Sequence, residues 1–474
     1  MSMSHSQVLS AVRGLLAQYA RERQVFDRIN SAMRPWNRQE IINRFGILKD
    51  KNANLMIDRQ IQLARDSQTM YLPLVLDTFA QSMKVEDYFS GVDAGARARA
   101  WKHWQRNNLD ARQTGITRAA LQYGTAYAVV DQGVVGGNAA PLITGVSPRH
   151  MTAYYGEAYA WPGESGVASE WPILALEVKG NRMRLFDEEK IYYIGAIETP
   201  QEIKDWAAHP WNTAQNLQLI EARDHHAGVP PVVRFRDRWL LEGEEVAGII
   251  EPLIALQSRI DRTSWEAAVA QYYSAFKQRY VIGWAPADDV EGIRMRASDV
   301  WLIDADAKVG QFDETDIRQY VDVKQASIRD MAAIAQVPAQ SLGANAISNV
   351  SADGLAAMES AKDRKSSEIR TSLGESYEQL LRLCAHLDGD QQEAADFASE
   401  VKWADMTARS FAQTVDALGK LATMLSIPPE IHCQDIPGFT AEKIKRIKQT
   451  MTRTPGFDAF DATAEPPLGD TITR

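Results

Sequence analysis

The first quarter of the chain has apolar residues at helical spacing, interrupted by few breakers. In IDRQIQLARDSQTMYLPLVLDTFAQSMKV, Pro73 is expected to kink or reset a run whose apolar positions are Ile61, Leu63, Tyr71, Leu74, Val75 and Phe79. The stretch ARAWKHWQRNNLDARQTGITRAALQYG continues in the same style. We therefore expect helices from about Ser6 to Gln122.

The pattern changes at Gly124 to short β-branched and aromatic runs bounded by Gly, Pro and Asn. These runs are TAYAVVDQG, PLITGVSP, ALEVKG, RMRLFDEEKIYYIG and PPVVRF. They predict the strands of a mainly antiparallel sheet. The glycines of DQGVVGGNAAP lack the G-x-G-x-x-G spacing and precede no helix, so they indicate a turn and not a nucleotide loop.

Two long helices are predicted in the third quarter of the chain, on either side of a compact stretch with strand character at 277–312. The first follows Glu244, with Pro252 near its start, where proline is tolerated. The second runs from about Asp316 to Gln336. If the two helices pack side by side, their apolar faces should bury Leu253, Leu256, Ile260, Ile328 and Met331.

Pro338 ends the second helix, and AQSLGANAISNV then reads as a loop of small residues. Ser351 is a candidate N-cap for a helix that runs to Leu387, well above the usual length. Further helical segments follow, and the Pro- and Gly-rich end, 453–474, is expected to be disordered.

Composition narrows the classes of function. With 474 residues, 45% of them hydrophobic and 24% charged, the chain is an ordinary globular sequence of several domains. It has neither an apolar run long enough for a membrane span nor the pattern of a signal peptide. A net charge of -10 argues against a protein that grips nucleic acid, although DNA could still slide past an acidic surface. The cysteines, Cys384 and Cys433, are too few for a disulfide framework.

Candidate chemistry is sparse. Asp224, His225 and His226 form the densest titratable cluster, but neighbouring strand residues point to opposite faces, so we favour a structural role. The acidic positions near Asp288 and Asp304 lack EF-hand spacing. There is no Walker motif and no G-x-S-x-G elbow. We predict no catalytic residue, no metal ligand and no cofactor, and a protein that is not an enzyme.

Several long segments together resemble the portal (head-to-tail connector) proteins of tailed bacteriophages, especially of the long-tailed type. The resemblance covers nearly the whole chain. It is sharpest in GVPPVVRFRDRWLLEGEEVAGIIEPLIALQSRID, in VAQYYSAFKQRYVIGW, in VWLIDADAKVGQFDETDIRQYVDVKQASIRDMAAIAQVPAQSLG, and in ISNVSADGLAAMESAKDRKSSEIRTSLGESYEQLLRL.

The resemblance implies a multi-domain α+β portal fold, mainly helical with a β-rich wing sheet, a two-helix stem and a small α/β clip, assembled as a ring oligomer. It places the wing at 1–248, stem helix 1 at 249–276, the clip at 277–312 and stem helix 2 at 313–337. A tunnel loop would follow at 338–350, then a long wing helix and connection at 351–399, and crown or crown-proximal helices at 400–452. The tunnel loop implies channel-lining positions at Gly343, Ala344, Asn345, Ile347, Ser348 and Asn349.

The resemblance also implies a function and partners. The ring, usually of twelve subunits, would stand at the capsid vertex of the virion and pass double-stranded DNA during packaging and ejection. Its partners would be the large terminase subunit, major capsid and scaffolding proteins, and later the head-tail adaptor proteins. Assembly would take place in the host cytoplasm, without a membrane. Two alternatives stay open: a phage enzyme with a dispersed site around Asp224 and His225, and a portal-like scaffold fused to another head component.

Overall fold

The computed structural model describes residues 3–45, 54–91, 97–135, 137–156, 170–196, 217–240, 248–274, 279–282, 308–311, 316–344 and 352–404, with scattered positions between 416 and 447. The chain divides into two compact units, Met1–Ala404 and Asp405–Arg474. Most of the predicted clip, nearly all of the predicted crown and the C-terminal tail lie outside the described residues.

The N-terminal part is mostly helical, as its pattern predicts, but the expectation of helices throughout is wrong at Val85–Phe89, which forms a strand (β1) because a distant segment of the chain, Glu400–Trp403, pairs with it. In the first helix the buried residues Val8, Val12, Leu15 and Tyr19 recur every three or four positions and form one apolar face. Pro73 lies in the first turn of the fourth helix, where its missing N–H is tolerated, so it resets the run without breaking a helix. The helices are α1 (His5–Ala32), α2 (Arg38–Phe45), α3 (Asn54–Asp66), α4 (Tyr71–Ala80), α5 (Trp101–Arg106) and α6 (Leu109–Tyr123).

The strands form two stacked antiparallel sheets and not the single sheet that the sequence predicts. The strands are β2 (Thr125–Val135), β3 (Asn138–Val146), β4 (Met151–Tyr155), β5 (Pro172–Lys179), β6 (Arg182–Phe186), β7 (Lys190–Ala196), β8 (Leu217–Asp224) and β9 (Val232–Arg236). One sheet has the order β3-β2-β9 and the other the order β4-β5-β6-β7-β8. The sequence did not predict β4 and β8.

The strands alternate their side chains between layers. In β5, Leu176 and Val178 pack against α1, whereas Ala175 faces the smaller sheet. In β2, Tyr127 and Val129 face the larger sheet, whereas Ala126 and its alternate neighbours join the main core on the other side. The result is a layered body in which two sheets lie between helices.

Four further helices and two pairs of short strands complete the described part of the first unit. The helices are α7 (Ile254–Ser274), α8 (Arg318–Ala335) and α9 (Ala352–Leu387), followed by the short α10 (Gln391–Ala394). Strands β10 (Arg279–Ile282) and β11 (Lys308–Gln311) pair antiparallel between α7 and α8. Strands β1 (Val85–Phe89) and β12 (Glu400–Trp403) also pair antiparallel, so the first residues of the predicted crown belong to the N-terminal unit.

Helix α9 is the central element of the main core. It has 36 residues, and Leu373, Tyr377, Leu380 and Cys384 on one face are fully buried. Its serines reach the neighbouring sheet: Ser372 Oγ donates to the carbonyl oxygen of Arg236 at 2.8 Å. Cys384 is a free thiol in the core, and burial raises its pKa.

Candidate functional site

The candidate site is the pair of helices α7 and α8 and the loop that follows them. Ile260 of α7 and Leu253, just before α7, are buried in the main core. Ile328 and Met331 of α8 are buried in the same core. Leu256 is only partly buried and packs against the same core. At the exposed edge of the pair, Arg259 of α7 forms an ion pair with Asp330 of α8.

Helix α7 begins later than the sequence predicts. The backbone N–H of Ile249 donates to the carbonyl oxygen of Leu121 at 2.9 Å, which fixes the incoming chain to the end of α6. Residues Glu251–Leu253 then form a 3-10 turn that contains Pro252. The α-helix therefore starts at Ile254, because the segment before it serves as an anchor.

A buried polar junction joins α7 to Thr69, in the turn before α4, and sequence reasoning missed it. Asp261 Oδ1 accepts hydrogen bonds from the backbone N–H of Thr69 at 3.1 Å and from Gln257 Nε2 at 3.0 Å. Burial raises the pKa of the Asp261 carboxyl. The spacing could have indicated this junction. Gln257 and Asp261 are four residues apart, so they are neighbours on one face of the helix, and Asp261 adjoins the apolar Ile260.

The beginning of the predicted tunnel loop is folded. Helix α8 ends at Gln336, which has φ 59, and residues Ala339–Leu342 form a 3-10 turn. Gly343, with φ 77, closes this turn in a conformation that glycine tolerates best. Ala344 is 1% exposed and belongs to the main core, so its side chain does not line an open channel in this subunit.

The other predicted channel positions, Asn345, Ile347, Ser348 and Asn349, lie outside the described residues. Ser351, the predicted N-cap of α9, is also outside them, although α9 starts directly after it. The acidic positions near Asp288 and Asp304 lie outside them as well.

Helix α9 is fixed to the end of α8 by a half-buried lysine. Lys365 Nζ donates to the carbonyl oxygen of Ala335 at 3.2 Å, in the last turn of α8, where helix carbonyls lack intrahelical partners. Its ammonium also lies 5.2 Å from the ring centre of Phe79. Burial lowers the pKa of Lys365 and raises that of the neighbouring Asp237 to about 6. These partly desolvated charges lie close together: Asp237 directly follows β9 of the three-stranded sheet, and Lys365 of α9 contacts the end of α8.

The histidine cluster has the geometry of a structural turn. His225 is 5% exposed, and its Nδ1 accepts from the backbone N–H of Ala227 at 3.1 Å. Its Nε2 therefore donates to the carbonyl oxygen of Asp187 at 2.9 Å, which fixes a neutral imidazole. Burial lowers the pKa of His225. With both ring nitrogens engaged by the backbone, His225 has no free nitrogen for a substrate.

The neighbours of His225 point elsewhere. Asp224 is exposed and lies 3.7 Å from Lys190 Nζ, while His226 is exposed with a φ of 56. Across the residues that the structure describes, no group of three His, Cys, Asp or Glu side chains could hold a metal ion. In the same part of the chain, no helix has the length and apolar character needed to cross a bilayer.

Comparisons with known proteins agree on one family. A family model described as phage portal protein, SPP1 Gp6-like, matches residues 47–453. The portal protein of Mycobacterium phage D29 is 24% identical over 370 residues, which cover 74% of this chain and 72% of that protein. The portal protein of Mycobacterium phage L5 is 23% identical over 376 residues, with coverage of 74% and 71%.

Solved structures with a similar backbone come from gene transfer agent particles. A chain in the neck of an empty particle, solved with C6 symmetry, has a TM-score of 0.46 and 12% identity, and the match covers 88% of this chain and 94% of that one. A chain in the virion of a native particle has a TM-score of 0.46 and 13% identity, with coverage of 84% and 95%.

Proposed function

The chain belongs to the SPP1 Gp6-like family of phage portal proteins, and on that basis we propose that it forms a ring through which double-stranded DNA enters and leaves a viral head. The family expected from the sequence motifs is thereby confirmed. In the proposed role the ring stands at the capsid vertex, having assembled in the host cytoplasm with capsid and scaffolding proteins. It docks the large terminase subunit during packaging and head-tail adaptor proteins afterwards.

The observation that carries this proposal is the extent of the family match. It runs from residue 47 to residue 453 and so includes α7, α8 and α9 together with the sheets that they pack against. A match confined to one helix pair would leave the function open, because helix pairs occur in many unrelated folds.

The proposed division of labour follows the order of the elements. Helices α7 and α8 would form the stem, and the segment 277–312 between them would form the clip. Residues 338–350 would supply the tunnel loop, with its inward part after the buried Ala344. The wing would comprise 1–248 and 351–399, and the pairing of β12 with β1 favours extending it to Ala404.

We propose a structural and not a catalytic subunit. Both ring nitrogens of His225 are hydrogen-bonded to backbone groups. A histidine that acts as a general base needs a free ring nitrogen, so His225 gives no support to the alternative of a phage enzyme. The fused-scaffold alternative likewise gains no support, since the family match accounts for most of the chain.

Electron microscopy tests the ring directly. Full-length protein should form closed rings with a central hole, either alone or after coexpression with capsid and scaffolding proteins, because repeated head-to-tail contacts must close to enclose a duplex. Heads assembled with the wild-type protein should contain DNA, and heads assembled without it should be empty. Protein that stays monomeric in both preparations would contradict the proposal.

A further inference from the structure

His103, on the short helix α5, is fully buried, yet its ring lacks hydrogen bonds. The residue is 0% exposed, and among the residues that the structure describes neither Nδ1 nor Nε2 has a hydrogen-bond partner. A buried polar group without a partner destabilises the packing around it, and such groups are rare in native proteins. The contact that α5 makes through His103 is therefore poorly satisfied even when the ring is neutral.

Charged side chains of α5 and of the turn after α9 surround the ring. Asp388, directly after α9, has Oδ2 at 3.7 Å from His103 Nε2, which is too far for a hydrogen bond. Lys102 already engages that carboxylate, since its Nζ lies 2.5 Å from the same Oδ2. Arg106 on α5 and Asp390 at the start of α10 act on the ring more weakly. The carboxylate beside His103 thus belongs to another cation.

Two further acidic groups near α5 have partners of their own. Glu393 of α10 accepts from the backbone N–H of Arg99 at 3.0 Å. Asp110 of α6 accepts from Trp104 Nε1 at 3.0 Å. A second proton on the His103 ring would therefore find no free acceptor among these groups.

Burial keeps the imidazole neutral and makes the contact depend on pH. Burial lowers the pKa of His103 from 6.5 to about 4, with Lys102 and Arg106 acting in the same direction and Asp388 opposing them. When the contact opens to water, the ring regains a pKa near its ordinary value of about 6.5. The open form then binds a proton that the closed form does not, so a fall in pH from about 6.5 to about 4 favours opening.

Asn107 links His103 to the edge of the three-stranded sheet. Asn107 Nδ2 donates to the carbonyl oxygen of His103 at 2.9 Å and to that of Pro141, on β3, at 3.0 Å. The backbone N–H of Ile143, also on β3, donates to Asn107 Oδ1 at 2.8 Å. Strand β3 lies at one edge of its sheet, so Asn107 covers part of that edge. An uncovered edge strand can pair with another chain.

We propose that the contact between α5 and the turn after α9 is an acid-sensitive latch, in which a proton on His103 releases the contact and Asn107 then uncovers the edge of β3. Acid opens the latch because the charged ring needs water as its partner while Lys102 engages Asp388. This inference goes beyond the proposed function and does not depend on ring formation.

Hydrogen–deuterium exchange of the full-length protein at pH 7 and pH 5 tests the proposal. The rate at each amide is divided by its intrinsic rate at the same pH, so that only protection is compared. In the wild-type protein we expect the amides of α5 and of Ile143 to lose protection by roughly tenfold or more at pH 5.

Matched variants assign the effect to His103. His103→Leu is apolar and takes up no proton, so it should lose little protection in acid. His226→Asn, at an exposed position with a φ of 56 that asparagine tolerates, should behave as wild type does. Lys102→Met frees Asp388 to accept from the charged ring and should reduce the loss. Unchanged protection of the wild-type protein at pH 5, or a loss in His103→Leu as large as in wild type, would overturn the proposal.

Discussion

Ile260 and Leu256 lie one turn apart on α7 and differ in burial. Ile260 is 0% exposed, whereas Leu256 is partly buried at the margin of the core. Truncation of a fully buried side chain leaves a cavity, so Ile260→Ala should lower the free energy of unfolding by about 2–4 kcal/mol. Leu256→Ala should cost less than half as much. Chemical denaturation of the two variants measures the difference, and equal losses would show that the helix face is assigned wrongly.

Asp237 gives the stability of the first unit a component that depends on pH. Burial raises its pKa from 3.8 to about 6, so the folded state holds a proton that the unfolded state releases. This group therefore favours folding below pH 4, and the advantage is lost as the pH rises to about 6.

Asp237→Asn removes this ionisation and should flatten the pH profile. Relative to wild type, the variant should gain up to about 3 kcal/mol in free energy of unfolding between pH 4 and pH 7. Exposed Asp322 on α8 supplies the control, and Asp322→Asn should leave the profile nearly unchanged. Thermal or urea unfolding at several pH values measures the free energy of unfolding of each protein. If this free energy depends on pH in the same way in wild type and Asp237→Asn, the prediction is wrong.

At the scale of elements, the end of α8 and the start of α9 define where a channel loop can begin. The 3-10 turn Ala339–Leu342 and the buried Ala344 belong to the packed body, and Lys365 ties α9 to the last turn of α8. A deletion that includes Ala344 would damage the core as well as the loop. The informative deletion therefore starts at Asn345.

Deletion of residues 345–348 should leave rings intact and reduce the DNA that heads package or retain. The reason is that, in the proposed role, the tunnel loop would reach toward the channel axis, while the packed turn up to Ala344 is left intact. Replacement of the same residues by a glycine–serine segment of equal length separates loop length from side-chain identity. Microscopy confirms the rings, and the DNA content of purified heads is the measurement. Wild-type DNA content in the deletion variant would identify the segment as a plain connector.

For the whole molecule, the acidic balance predicts how rings meet DNA. At a net charge of -10, few phosphates can be neutralised by Lys and Arg, so few counterions are released on contact. Free rings should bind duplex DNA weakly, with a shallow dependence of the dissociation constant on salt. Binding measured across a salt series checks this. A tight complex with a steep slope would point instead to a protein that grips its DNA.

The sequence by itself determined the class of most of the described elements, and it determined the family. Local periodicity decides helix or strand because it fixes which residues share a face, and so the N-terminal helices, α8 and the 36-residue α9 could be predicted. The faces of α7 and α8 were predictable for the same reason, down to Ile260 and Met331. Long motifs spread over the chain identified the portal family because they constrain many positions at once.

Only the tertiary structure decided contacts between segments that are far apart in the chain. The stacking of two sheets depends on which strands pair, and the pattern of a strand does not name its partner. The same holds for the pairing of β12 with β1, for the junction of Asp261 with Thr69, and for the burial of Ala344. Each depends on the surroundings that the rest of the chain provides, because burial and pairing are properties of neighbours in space and not of neighbours in sequence.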